Sequence, residues 1–148
     1  MDVTAEIVKT VSEQQHNDIA PASIIEKMVA VIKEVMEQSD EIIAAIVTSS
    51  DGLPWAQILP DNFDDKRFSA MSSALLALSM TMAREAGRGG TKNLMIEAEN
   101  GNIYVLQAGP TLLLTVFTKA NKNIGLTLAP TRRASEQIAK IKKEYDAN

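Results

Sequence analysis

The middle of the chain holds sixteen consecutive uncharged residues, 68–83, which read FSAMSSALLALSMTMA. Five of them carry hydroxyl groups, yet the apolar residues have helical spacing. At about 100° per residue, five large side chains fall within a stripe about 80° wide, as at the seam between two packed helices. This stripe consists of Phe68, Met71, Leu75, Leu78 and Met82. A second apolar group, on another face, consists of Leu76, Met80 and Ala83.

Such a helix needs cover on more than one side, because charge returns only at Arg84 and Glu85. The segment is too short and too hydroxylated for a membrane span, which needs roughly 20 mostly apolar residues. Two interpretations remain open. Either the terminal helices of the same chain cover the second face, or a second copy or another protein does.

Composition narrows the class of protein. A chain of 148 residues has room for one domain with a proper core. Its net charge of −4 and the lack of a clustered basic surface argue against nucleic-acid binding. The absence of cysteine, of a targeting signal and of a long apolar run predicts a cytoplasmic protein with no membrane insertion.

The remaining periodicity predicts a leader at 1–22, containing a short amphipathic helix, followed by one domain at 23–148. The predicted elements are a helix at 23–39, strands at 42–48 and 53–59, the central helix at 64–87, strands at 93–99, 102–108 and 112–118, and a helix at 121–145 that Pro130 interrupts or starts. The order α-β-β-α-β-β-β-α indicates an α+β domain with a mixed or antiparallel five-stranded sheet. Pro54 places its strand at a sheet edge or beside an irregularity.

Reactive chemistry is scarce. One histidine, His16, and no cysteine exclude the usual zinc and nucleophile arrangements within this chain. Asp64 and Asp65 suit the start of the central helix better than a metal site. We therefore expect no catalytic residue, no metal and no cofactor, and the protein is predicted not to be an enzyme.

Three further residues are candidate partner contacts. Trp55 is the single tryptophan, and it either meets a partner or caps the core. Arg132 and Arg133 could meet an anion or an acidic partner, or could simply be exposed helix charges.

Several spaced features together resemble the Roadblock/dynein light chain family. They are Asp-Gly-Leu-Pro at 51–54 with Ala56, Glu-Ala-Gly-Arg-Gly at 85–89, and Ala120-Asn121 with Ile-Gly-Leu at 124–126. The resemblance covers about residues 24–142. The leader and Pro130 depart from the family pattern.

The resemblance implies a profilin-like domain in which one long helix lies on a five-stranded antiparallel sheet, with two flanking helices. It further implies a homodimer formed through the central helix and the third strand, so that the stripe and Leu94 and Ile96 become interface residues. Prokaryotic members of the family regulate or scaffold small Ras-like GTPases, and eukaryotic relatives serve dynein and lysosomal signalling scaffolds.

Three hypotheses follow for function. The first is a homodimeric, non-catalytic adaptor or regulator that binds a small Ras-like GTPase, with a GTPase-activating scaffold as one form of it. The second is a ligand-sensing domain of the profilin-like or PAS-like kind, and the third is a purely structural subunit of a larger complex.

Overall fold

The computed structural model describes residues 22–120 and 123–148. The predicted leader helix and His16 lie outside the described residues. The helices are α1 (Ala22–Gln38), α2 (Asp65–Glu85) and α3 (Gly125–Asp146). The strands are β1 (Ile42–Ser49), β2 (Pro54–Ile58), β3 (Asn93–Ala98), β4 (Gly101–Gln107) and β5 (Leu112–Thr118).

The five strands form one antiparallel sheet in the order β2-β1-β5-β4-β3. This confirms the predicted α+β class and element order. Pro54 lies on an edge strand, and the pairing of β2 with β1 is irregular between Val47 and Thr48. Pro54 therefore lies both at a sheet edge and beside an irregularity, the two positions that the sequence allowed for it.

The first hairpin after α2 differs from its prediction by one residue. Gly101 pairs with Ala98, so the two-residue turn is Glu99-Asn100 and β4 begins at Gly101. Asn-Gly is the usual turn pair of such hairpins. Here the glycine forms the first strand position instead, with φ of 148°.

The larger core lies between one sheet face and the two terminal helices. α1 and α3 pack against each other and against the sheet. Ile25, Met28 and Ile32 of α1 are fully buried there, as are Leu114 of β5 and Ile138 of α3. The two terminal helices, α1 and α3, therefore lie on the sheet face opposite the one that α2 covers.

α3 runs without a break through Pro130, which corrects the prediction that this proline interrupts or starts the last helix. Proline removes one helical hydrogen bond. Side-chain bonds strengthen the surrounding turns: Asn123 Oδ1 accepts from the Gly125 amide at 3.1 Å, and Thr131 Oγ1 donates to the Thr127 carbonyl at 2.7 Å.

The start of α3 is tied to the sheet by a buried hydroxyl pair. Tyr104 Oη and Thr127 Oγ1 lie 2.6 Å apart, and Thr127 Oγ1 also donates to the Ile124 carbonyl at 3.0 Å. Because the threonine proton is used by that carbonyl, Tyr104 acts as the donor of the pair. The bond fixes α3 against β4.

We expect Tyr104→Phe to lower the free energy of unfolding by about 1 kcal/mol, the usual net value of one hydrogen bond. Thr127 keeps its bond to Ile124, so no buried donor is stranded. The matched control is Tyr145→Phe, since Tyr145 is the only other tyrosine and is exposed. Urea denaturation of the three proteins measures the difference, and equal midpoints would contradict the role of the Tyr104 bond.

Among the described residues, α2 is the one helix on the second sheet face, and it approaches the sheet through small hydroxyl residues. Ser69 accepts from Thr48 at 3.1 Å, and Ser72 accepts from Thr115 at 2.8 Å, with all four residues buried. Ser73 donates to the Ser50 carbonyl at 2.6 Å. Serine side chains are short, so the helix packs closely onto the sheet while its buried hydroxyls remain hydrogen-bonded.

Candidate protein interface

The apolar stripe of α2 points away from the sheet. The exposed fractions are 44% for Met71, 39% for Leu75, 62% for Leu78 and 66% for Met82. Because Ser69, Ser72 and Leu76 occupy the sheet-facing side, the larger apolar side chains are left outside. Four large apolar residues exposed along one helix form a patch of the kind that marks an interaction site.

The fifth member of the predicted stripe, Phe68, lies in a different environment. Its ring packs at 5.2 Å from Phe63 and at 5.0 Å from Phe117, and the side chain is half-buried. This aromatic trio belongs to the core between α2 and the sheet. Phe68 therefore packs at the margin of this core, and its side chain is only partly exposed at the end of the stripe.

The second apolar group of α2 faces the chain's own sheet. Leu76 is buried with Val105 and Leu113, and Met80 and Leu94 pack against the same cluster. The sequence left open whether the terminal helices cover this face. They do not, because they lie on the other side of the sheet.

β3 forms the other half of the candidate interface. It is an edge strand with neither proline nor glycine, and Leu94 and Ile96 are half-buried on the face that carries α2. Met95 projects to the opposite face and is 43% exposed. Within residues 22–120 and 123–148 no strand pairs with the outer side of β3, and an edge strand of this length is a template for pairing with another chain.

α2 does not sit over this edge. Its main contacts are with β1, β2 and β5. The surface above β3 and β4, next to the α2 stripe, is therefore only partly covered, and Leu94, Ile96 and Ile103 remain half-buried there.

The remaining predicted contacts do not form one surface with the stripe. Trp55 is nine-tenths buried in the core beside the terminal helices, with Lys142 Nζ 5.8 Å from its ring centroid. Of the two alternatives for Trp55, a partner contact or a cap on the core, the structure shows Trp55 packed against the core. With the Asn93 side-chain amide turned so that its oxygen faces Arg132, Arg132 donates to Asn93 Oδ1 at 3.3 Å near the start of β3. Arg133 lines a shallow recess between α1 and α3.

Within residues 22–120 and 123–148, no group of three or more histidine, cysteine, aspartate or glutamate side chains could hold a metal ion. Asp64 caps α2, since its Oδ1 accepts from the Arg67 amide at 3.2 Å. None of the helices in this part of the chain is both long and apolar enough to cross a membrane.

Comparison with known families agrees with this architecture. The model of the Roadblock/LC7 domain matches residues 28–118, which span β1 to β5 and most of α1. The chain belongs to the Roadblock/LC7 family. The matched region contains both α2 and β3, and therefore the whole candidate interface.

Individual Roadblock/LC7 relatives extend the likeness beyond the matched region. Uncharacterized protein MJ0714 of Methanocaldococcus jannaschii is 31% identical over 115 residues, which cover 78% of this chain and 97% of the relative. The gliding protein MglB of Thermus thermophilus superimposes with a TM-score of 0.77 at 20% identity, over 85% of this chain and 96% of MglB. A structure of MglB with a tetrameric arrangement superimposes with a TM-score of 0.78 at 19% identity, over 85% of this chain and 95% of the MglB chain. These two structures share the fold.

Met95 of β3, which the sequence interpretation did not select, is an exposed apolar residue on the sheet face opposite α2. Its alternation with Leu94 and Ile96 placed it on the wetter face of the strand.

Proposed function

We propose that this Roadblock/LC7 protein is a homodimeric, non-catalytic regulator or adaptor that binds a small Ras-like GTPase in the cytoplasm. The observation that carries the proposal is the exposed stripe of α2 beside the open edge at β3. Both are apolar, and both border the same sheet face. A second copy offers the same two features in return.

Self-association fits the asymmetric position of α2. Because the helix lies over β1, β2 and β5, a partner joined at the β3 edge can bring its own apolar surface over the β3–β4 side. A two-fold arrangement uses each patch twice, which is how most homodimers are built. The tetrameric arrangement of MglB supports assembly from identical copies as a property of this fold.

A regulator without its own reactive groups can still change the activity of a GTPase. If the dimer binds one nucleotide-dependent conformation of the GTPase more tightly, it shifts the population toward that conformation by mass action. The GTPase then supplies the chemistry. Membership in the Roadblock/LC7 family supports this class of partner.

The contact between α2 and the sheet, where a buried ligand would lie, argues against the ligand-sensing alternative. The hydroxyl pairs Thr48–Ser69 and Thr115–Ser72 join α2 directly to the sheet at 3.1 and 2.8 Å. A ligand between sheet and helix would have to break both bonds.

The test combines mass with nucleotide-dependent binding. Light scattering should give twice the mass of one chain. Interferometry against the host's small Ras-like GTPases should show binding to one nucleotide state at least about tenfold tighter than to the other, a coupling of about 1.4 kcal/mol. A dimer that binds neither state would favour the purely structural subunit and would contradict the proposed regulator.

A further inference from the structure

We infer that α2 opens as a separate unit. In the open state the helix leaves its sheet face, while the sheet and the two terminal helices stay folded. A second copy that covers the apolar stripe closes the helix again. This closing step rests on the homodimer of the proposed function, whereas the opening is a property of the single chain.

Little apolar surface of α2 is buried in the single chain. Of its 21 residues, Ser69, Ser72 and Leu76 are buried, and Leu76 is the one large apolar side chain among these three. Phe68 and Met80 add half-buried contacts. α1 has 17 residues and buries six apolar ones, namely Ile24, Ile25, Met28, Val29, Ile32 and Val35. Because the free energy of burial grows with the apolar area removed from water, α1 is held far more strongly than α2.

Hydroxyl groups form the buried hydrogen bonds between α2 and the sheet. Thr48 donates to Ser69 at 3.1 Å, and Thr115 donates to Ser72 at 2.8 Å. Water replaces such bonds when the two groups separate, so each bond adds little net free energy to the closed state. The hydroxyl pairs therefore fix where α2 lies without holding the helix strongly.

The rest of the fold keeps its larger core when α2 leaves. Among the described residues, the cluster under the terminal helices contains 19 buried apolar side chains, whereas the two clusters at α2 contain three each. The five strands also pair with one another, so the hydrogen bonds of the sheet do not depend on α2. Opening of α2 therefore leaves a folded body behind.

Both connections of α2 lie outside helices and strands. They are residues 59–64 and 86–92, and the second contains Gly87, Gly89 and Gly90. A Cβ at any of these glycines would meet no heavy atom of residues 22–120 and 123–148 within 4 Å, so the connection is not packed against the fold there. α2 can therefore move without displacing β3. A unit with so little buried apolar surface opens at a lower free energy than the whole fold.

A partner on the outer face of α2 favours the closed state. Leu78 and Met82 are 62% and 66% exposed on that face. A second copy can meet the stripe and the neighbouring sheet surface together only while α2 lies on the sheet. Because a ligand that binds one of two states shifts the population toward it, dimer formation should close α2, and opening of α2 should weaken the dimer by the same factor.

Amide hydrogen exchange, measured by mass spectrometry on peptides of α1 and α2, tests both steps. The protein is first diluted until light scattering gives the mass of one chain. The α2 amides should then exchange at least about tenfold faster than the α1 amides. At a concentration where the dimer forms, exchange of the α2 amides should slow at least about tenfold.

The variant Ile138→Val separates a local opening from unfolding of the whole chain. Ile138 is fully buried in the core of the terminal helices, on the sheet face opposite α2. Loss of one methyl group should speed exchange of the α1 amides about threefold or more, because they exchange through unfolding of that core. The α2 amides of the single chain should keep their rate, since Ile138 stays packed while α2 is open.

The variant Ser72→Ala tests whether the opening separates α2 from the sheet. It leaves the Thr115 hydroxyl without its partner in the closed state alone, so the α2 amides should exchange at least about fivefold faster. The matched control is Ser79→Ala, because Ser79 donates to the Leu76 carbonyl of α2 itself at 2.8 Å. This control should not speed exchange of the α2 amides.

Fast exchange of α2 that Ile138→Val leaves unchanged and Ser72→Ala accelerates would support the opening. Equal acceleration of α1 and α2 by Ile138→Val would overturn it, since α2 would then open only with the whole chain. Equal α2 exchange in the two serine variants would also contradict it, because the helix would exchange without leaving β5.

The closing step and the proposed function fail in different ways. A dimer in which α2 exchanges as fast as in the single chain would overturn the closing step and leave the homodimer standing. A protein with the mass of one chain at every concentration would overturn the homodimer, and with it the closing step. Selective exchange of α2 in that protein would still support the opening.

Discussion

Leu78→Asp should convert the protein into a folded monomer. Leu78 lies at the middle of the α2 stripe and is 62% exposed in the single chain, so a carboxylate costs the isolated fold little. In a two-fold interface the change removes two apolar side chains and buries two charges. Burying one leucine is worth about 1.5 to 3 kcal/mol, so the dissociation constant should rise at least about 100-fold.

The matched control is Ala77→Asp. Ala77 is also exposed on α2 but lies about 100° around the helix from Leu78, away from the apolar stripe. Ala77→Asp introduces the same charge into the same helix turn as Leu78→Asp. Light scattering over a dilution series measures both proteins, with circular dichroism to confirm helix content. Equal dimer stability in the two variants would place the interface elsewhere.

Gly101→Ala should be the most destabilising single methyl addition in the hairpin region. A Cβ at this position would lie 1.9 Å from the Thr118 carbonyl oxygen, a backbone atom held in the sheet, and the φ of 148° is strained for any L residue. Thr118 cannot withdraw easily, because its hydroxyl accepts from the Asn102 amide at 3.0 Å. We expect a loss of about 3 kcal/mol or more, near the upper range for point mutations.

Gly90→Ala provides the control. A Cβ at Gly90 would meet no heavy atom within 4 Å, and Gly90 is not among the glycines with positive φ. Its effect should stay within about 0.5 kcal/mol. Thermal unfolding should separate the two variants by roughly 10 °C. Similar melting temperatures would show that the close approach of β4 to Thr118 is not maintained.

Local patterns were sufficient to predict every helix and strand of the described fold. Alternation and β-branched runs placed β1 and β5, and glycine after α2 ended the helix as predicted. The errors occurred where a tertiary contact overrides a local rule. Pro130 is tolerated inside α3 because neighbouring side chains hold the turn, and Gly101 belongs to β4 because the strand passes close to Thr118.

The candidate interface was predictable in composition but not in arrangement. The sequence indicated that α2 has two apolar groups and that both need cover. It did not indicate that Phe68 turns inward to Phe63 and Phe117, or that Trp55 lies in the core, because aromatic packing depends on residues far apart in the chain. Nor did the sequence indicate that β3 lies at an edge, because the order of strands exists only in the assembled sheet.

By itself, the sequence determined the order of elements, the family and the apolar stripe of α2, since these depend on spacing along one helix or strand. Only the tertiary structure decided which side of α2 meets the sheet. Helical periodicity defines faces without assigning them, whereas the buried hydroxyls of Thr48 and Thr115 need partners that Ser69 and Ser72 provide. Satisfying those hydroxyls turns Leu78 and Met82 outward, where a second chain can cover them.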